Sequence, residues 1–523
     1  MPISRRRFAA GALAGLAGSL PSRMQALRPQ PKLFVFLIAE QFRQLYLDRA
    51  GSMLMSGGFR ELMTKGVYYP DCRLSASGFT ATGLATLATG SYPSLHGIIA
   101  DQWYDRQTHT LAKARAELLE ATTLADELVL AGQSDETPFA TPNRIFCLGL
   151  NEGPASLLAG RSGGPVYWMD AQGRFNTRGN APEWLAAHNG TQRIEDLYDK
   201  KWVAVGAGKE LPPLRTLTYD PKRPEDFFAL YQSSPFCQDA QFELLRALVT
   251  QEKLGQGQTL DFVFLALGSM ALLGYETGSY SPLSPLMDQM TLHLDRQIQL
   301  TLDALNKAPG KDKYNLIFAA AHGAPPEPDP AMRAQRAISG ENLAHAIGKG
   351  LSDWIDKGAA KNAYVDKYVY PFLYLKQEML RKQNTPLRGA RKLAGELALR
   401  LHGVAGYYTA DGDCSHTGEW RRRFENSFHE LRSGDVMLSY QPEAVEDFAA
   451  GRGVSYGSLY NYDTATPLLL YGPQFGRRLI EHTVETIDLA PTVARAACIG
   501  APSSATGRVL AEAYAEGEEE RAK

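Results

Sequence analysis

The sequence predicts an α/β fold with a central, mainly parallel sheet between helices, and three observations predict it. Five near-continuous apolar runs, residues 32–39 (KLFVFLIA), 144–150, 261–267, 315–321 and 467–471, have the length and composition of strands buried on both faces. Residues 241–254 (QFELLRALVTQEKL) and 286–305 (LMDQMTLHLDRQIQLTLDAL) repeat apolar positions at three and four, the period of an amphipathic helix. Strand-like and helix-like segments alternate along the chain, which is the order of a layered α/β domain.

At 523 residues the chain exceeds one small core and predicts either one large domain with a sizeable insertion or two domains. A charged fraction of 21% and a net charge of -2 give no reason to expect nucleic acid or an anionic membrane as partner. Cys72, Cys147, Cys237, Cys414 and Cys498 show no CxxC spacing, which argues against a zinc–thiolate site, and their odd number leaves at least one unpaired within the chain.

The chain opens with Ser4-Arg5-Arg6-Arg7-Phe8, a weakly apolar run of small residues over 9–20, then Pro21 and Arg23. This resembles a twin-arginine export signal, with cleavage expected near Ala26 and a periplasmic or extracellular destination. The run is shorter than the ~20 apolar residues needed to cross a bilayer, so no stable span is expected after cleavage. The remaining organisation reads as core over 27–138, 224–323 and 432–512. A cap insertion rich in Gly, Pro and aromatics covers 139–223, and a second insertion containing the strand-like YVYPFLYL covers 324–431. A charged tail covers 513–523.

Active sites of open α/β sheets collect at the C-terminal ends of strands, so the loops after the apolar runs carry the functional question. In order they hold Glu40, then TATGLATLATGSYPSLHGI (80–98), ADQWYD (100–105), AAAHGA (319–324), RSGDVMLSYQP (432–442) and YGSLYNYDTATPLLLYGP (456–473). TGSYPSLHGI followed by RSGDVML is a specific combination, although either alone is weak. From about residue 32 to 510 the chain resembles the type I phosphodiesterase/nucleotide pyrophosphatase family of the alkaline phosphatase superfamily. Within it the chain is most similar to the periplasmic phosphate-irrepressible alkaline phosphatases. The resemblance implies the alkaline-phosphatase fold and, in ordinary members, phosphate-ester hydrolysis by a Thr or Ser nucleophile and two zinc ions. Two such ions activate the nucleophile and stabilise the attacking and leaving oxygens.

Carried over residue by residue, the resemblance puts the nucleophile at Thr80 and metal-ligand positions at Glu40, Ala271, Tyr275, Ala321, His322 and Tyr456. Glu40 stands where the family has Asp, and the histidine after the nucleophile is replaced by Leu84. Ala271, Tyr275, Ala321 and Tyr456 cannot ligate as their counterparts do, so Glu40 and His322 are the residual metal candidates. The positions that would contact substrate fall on Asp101, Asn151 and Gly153, in place of Asn, Lys and Arg. Two unit charges 4 Å apart interact by ~4 kcal/mol at an effective dielectric near 20, so an anionic Asp101 would repel phosphate. Replacing carboxylates and imidazoles by alanine and tyrosine removes charge that is costly to bury without ions, and predicts a metal-free, filled pocket.

Other candidates have structural readings. Thr80 suits the N-cap of the following helix. His322 suits a buried histidine bonded to a neighbour, His96 belongs to the structural HGI element, and Trp168 and Trp184 pack in the cap. Asp411-Gly412-Asp413-Cys414-Ser415-His416 reads as a turn rather than a metal loop. The leading expectation is an exported, non-catalytic member with no cofactor that binds an unidentified ligand or another exported protein. The alternatives are an active phosphatase or phosphodiesterase with an atypical site built on Thr80, Glu40 and His322, and a scaffold whose insertions carry the function.

Overall fold

A computed structural model describes residues 31–132, 142–206, 211–276, 283–326, 337–359, 363–446 and 456–515. The proposed export signal lies outside these residues, and the chain from Pro31 onward forms one compact unit. The strands used below are β1 (Leu33–Gln41), β2 (Val67–Arg73), β3 (Arg144–Gly149), β4 (Val166–Met169), β5 (Phe175–Thr177), β6 (Asp261–Leu267) and β7 (Tyr314–His322). They continue as β8 (Val365–Val369), β9 (Phe372–Leu375), β10 (Val404–Thr409), β11 (Val436–Tyr440), β12 (Ala465–Tyr471), β13 (Arg478–Leu479) and β14 (Val484–Glu485).

The central sheet runs β13-β2-β12-β7-β1-β6-β3-β4-β5, with β14 also paired to β2. Strand β1 is parallel to both β6 and β7, and β6 is parallel to β3. Strand β12 lies antiparallel between β7 and β2. The apolar runs follow from this placement. All nine residues of β1 are buried, with Phe34, Phe36 and Ile38 in one hydrophobic core and Leu33, Val35, Leu37 and Ala39 in the other. Period-two side chains on a strand covered on both faces leave no polar stripe.

Helix α1 (Thr80–Thr89) lies over β7 and is buried at every position. Gly83 makes that approach possible: a Cβ there would stand 2.0 Å from the Ala321 carbonyl oxygen. Gly83→Ala must push the helix off the sheet, and we expect a loss of about 1–3 kcal/mol, read as a lower denaturation midpoint at unchanged slope. Leu84 points into the core at 0% exposure.

Four features differ from the sequence expectation. The run at 144–150 is strand β3 as expected, but β4 and β5, within the segment 139–223 expected as a cap, also join the central sheet. YVYPFLYL is a hairpin rather than one strand: β8 and β9 pair antiparallel across Tyr370-Pro371. The second lobe also extends beyond 431, because its sheet has the order β8-β9-β11-β10 and β11 comes from the RSGDVML segment. Helices Gly340–Asp356 and Leu387–Ala398 supply buried residues to this lobe's core. The proposed tail at 513–523 begins later, since Ala513 and Tyr514 are buried against the domain. All five cysteines are free thiols.

Candidate functional site

The C-terminal ends of β1, β3, β6 and β7 open on one side of the sheet, and the N-terminus of α1 points there. A cavity of about 340 Å3 occupies this place, with Glu40, Thr80, Asp101 and Tyr456 as its main polar wall and Leu157, Ala271 and Leu272 as apolar wall. It is not filled, contrary to the sequence expectation: Tyr456 occupies part of the space and leaves the rest open. Ala271 belongs to helix α2 (Ser269–Glu276), which follows β6. Tyr275 lies near the end of that helix, with its side chain outside the described residues.

Thr80 Oγ1 and His322 Nε2 are 2.9 Å apart, and His322 Nδ1 is 2.6 Å from the Gly323 carbonyl oxygen. A carbonyl only accepts, so Nδ1 carries the proton and Nε2 accepts from the Thr80 hydroxyl; this tautomer is assigned from the network. His322 is fully buried, and burial lowers its pKa to about 4 against the support of the Gly323 bond. It is therefore neutral at physiological pH. The Tyr456 ring stacks on the imidazole, with centroids 4.5 Å apart and planes 17° apart. Thr80 is not an N-cap: Phe79 holds that position, and Thr80 is the first helical residue with its hydroxyl turned to His322.

Asp101 has a role the sequence did not reveal. Its Oδ1 accepts the Ala81 backbone N–H at 2.8 Å, so the positive end of α1 is already met by a carboxylate of the same chain. The Tyr456 hydroxyl donates to Asp101, and the Asp101 charge followed by burial holds that phenol well above its ordinary range. Burial raises the Asp101 pKa, while the Ala81 and Tyr456 bonds oppose the rise. Glu40 is 6% exposed, and its Oε1 is buried with no hydrogen-bond partner. Burial first, and the Asp101 charge second, push this carboxyl up to about 8.

Asn151 lines the same cavity and stands at the N-cap of helix Glu152–Ala159 with no side-chain cap bond. Gly153, in the first turn of that helix, adds no side chain. Ala321 lies beneath Gly83 and offers no donor side chain. The remaining candidates are structural. His96 is fully buried, bonded to Thr86 at 3.1 Å and accepting the Ile98 N–H. Trp184 donates to Glu252 at 2.8 Å, and Trp168 packs on the core. In the Asp411–His416 loop, Asp411 meets Arg391 at 3.2 Å and Asp413 meets Arg388 at 3.7 Å.

The profile of the type I phosphodiesterase/nucleotide pyrophosphatase family matches residues 34–443, well over half of the chain. The chain belongs to this family. Members of the type I phosphodiesterase family act on phosphoesters. The chain is 23% identical to alkaline phosphatase PafA of Elizabethkingia meningoseptica, over 98% of this chain and 99% of that protein. It is 24% identical to a protein of Myroides odoratus named calcium-transporting ATPase, over 92% and 95% of the two chains. The crystal structure of wild-type PafA superposes with a TM-score of 0.78 at 21% identity, covering 93% of this chain and 99% of that one. At that identity the likeness establishes the alkaline-phosphatase-like fold.

The two zinc ions that the resemblance implies do not fit the donors present. Ala271 and Ala321 supply none, and His322 has Nδ1 bound to a carbonyl and Nε2 bound to Thr80. Among the described residues no group of three or more His, Cys, Asp or Glu side chains is arranged to hold a metal ion. Tetrahedral zinc needs several such ligands in place.

Proposed function

We propose that this protein is an exported member of the type I phosphodiesterase family that has given up zinc-dependent phosphoester hydrolysis and uses the metal-free pocket for binding. The observation that carries this reading is the Asp101 carboxylate bonded to the Ala81 N–H. A phosphate oxygen seeking that helix terminus would have to displace a bound anion and face its charge. Loss of donors at Ala271 and Ala321 supports the same reading independently. Export rests on the Ser4-Arg5-Arg6-Arg7-Phe8 signal. No helix among the described residues is long and apolar enough to cross a membrane.

A second reading, an active phosphoester hydrolase with an atypical site, is favoured by one observation. The Thr80–His322 pair has nucleophile-to-base geometry, with the tautomer set by Gly323. Against it, an imidazole whose pKa has fallen to about 4 is a weak proton acceptor for a threonine hydroxyl. Turnover of 4-nitrophenyl phosphate and bis(4-nitrophenyl) phosphate separates the two. The binding reading expects rates equal to buffer, unchanged in Thr80→Ala and His322→Ala. Turnover that disappears in either variant would put the hydrolase first.

A further inference from the structure

The cavity has an unusual balance of chemistry. Its described wall contains two carboxyl groups, Glu40 and Asp101, and no lysine or arginine. The two carboxyls are in different states of satisfaction. Asp101 is held by the Ala81 N–H and the Tyr456 hydroxyl. Glu40 is more than nine-tenths buried and lines the cavity, and its fully enclosed Oε1 has no hydrogen-bond donor. A buried acceptor left unbonded costs about 1–3 kcal/mol, and native proteins rarely leave one without a reason. Its neighbours on the wall are aliphatic: Leu157, Ala271 and Leu272 offer contact area but no hydrogen bond.

We infer that this cavity binds a small organic amine, with its apolar body against Leu157, Ala271 and Leu272 and its nitrogen at the Glu40 carboxyl. The inference rests on the metal-free reading of the pocket and names the ligand class for it. Four kinds of occupant compete, and the wall discriminates among them. An anion meets two carboxyl groups and finds the helix terminus taken. A metal ion lacks ligands. A purely apolar molecule fills the volume but leaves the Glu40 carboxyl unbonded. An alcohol bonds the Glu40 carboxyl but brings no positive charge to a wall whose described ionisable groups, Glu40, Asp101 and the Tyr456 phenol, are all acids. An amine supplies both the donor and the charge. About 340 Å3 is within the range of small-molecule sites, where a few polar groups orient a ligand held by apolar surface. Gly268 contributes room at the polar end: a Cβ there would come within 3.1 Å of Glu40 Oε1.

The test is calorimetric titration of the purified mature protein with four probes sharing one ring: benzylamine, benzyl alcohol, benzoate and phenyl phosphate. Benzylamine is expected to bind at least about tenfold tighter than benzyl alcohol, which corresponds to ~1.4 kcal/mol. Benzoate and phenyl phosphate are expected to give no binding. Glu40→Gln keeps the shape and removes the carboxyl that a bound ammonium group would ionise; it should weaken benzylamine about tenfold and leave benzyl alcohol nearly unchanged. Leu272→Trp, with folding checked by circular dichroism and melting, fills the apolar part and should abolish benzylamine binding with Glu40 intact. The inference is overturned if phenyl phosphate binds as well as the amine, if amine and alcohol bind alike, or if either variant binds benzylamine like the wild type. Absence of binding by all four probes overturns it too. Zinc content of the same sample keeps the two claims separate. A zinc-free protein that ignores benzylamine refutes only the ligand class, whereas two tightly held ions refute the metal-free pocket itself.

Discussion

Asp435→Ala is expected to lower stability by about 3–5 kcal/mol, the cost of breaking a buried ion pair from one side. The carboxylate is fully buried. It accepts from Arg106 Nη2 at 2.6 Å, Arg391 Nε at 2.9 Å, the Leu375 N–H at 2.7 Å and Gln377 Nε2 at 3.1 Å. Removing it leaves Arg106, 29% exposed, without its carboxylate and Arg391, 15% exposed, with Asp411 alone. Water reaching Arg106 puts the loss toward the lower end of the range. The substitution also matters for the site. Arg106 directly follows the hairpin strand Gln102–Asp105, which itself begins one residue after Asp101, so Asp435 ties the Asp101 loop to the second lobe. Equilibrium urea unfolding measures the effect, and a loss under about 1 kcal/mol would show that the hub is replaceable.

Glu40→Gln is expected to have the opposite sign, stabilising the protein at pH 8. The folded-state carboxyl titrates near 8, against an ordinary value of 4.5. Between these values the unfolded chain loses its proton while the folded protein keeps it. The stability this group contributes is therefore fully present below pH 4.5 and is lost as pH rises through 8. The total is on the order of 5 kcal/mol, because each pKa unit corresponds to about 1.4 kcal/mol. The amide that replaces the carboxyl in this variant does not titrate, so the difference between variant and wild type should grow from near zero at pH 4.5 to its full value at pH 8. The buried histidines act in the other direction. Burial lowers His322 to about 4 and His96 to about 3. Their contribution is present above pH 6.5 and is lost as pH falls through those values. Melting temperatures of both proteins from about pH 4.5 to 8.5 isolate the Glu40 part. Parallel curves would mean that Glu40 is ionised in the folded protein.

The sequence made the sheet legible because β1, β6 and β7 are covered on both faces, which leaves uninterrupted apolar runs. It misjudged β4 and β5, which are four and three residues long and sit at the sheet edge among Gly163, Gly164 and Gly173. Strands so short carry no readable period. Pro371 could have divided YVYPFLYL, since a proline inside an apparent strand argues against one continuous strand. RSGDVML read as a family landmark near the site, but Asp435 serves the junction between lobes.

At the site, identities were readable while distances were not. That Ala271 and Ala321 carry no metal donor follows from residue type alone. That Thr80 meets His322, that Asp101 reaches the Ala81 N–H and that about 340 Å3 remains open all depend on backbone positions brought together from distant parts of the chain. One hint did exist. A carboxylate standing where the family keeps Asn, close in sequence to a helix start, could have suggested an anion supplied by the chain itself.

The central claim is that the pocket of this family member no longer holds zinc. It is tested most directly by the metal content of the mature protein after incubation with excess zinc followed by desalting. The expected result is less than about a tenth of an ion per chain, where an intact two-metal site would hold two. One or two tightly retained zinc ions would contradict it, because the donors around Thr80 and His322 would then be arranged otherwise than described.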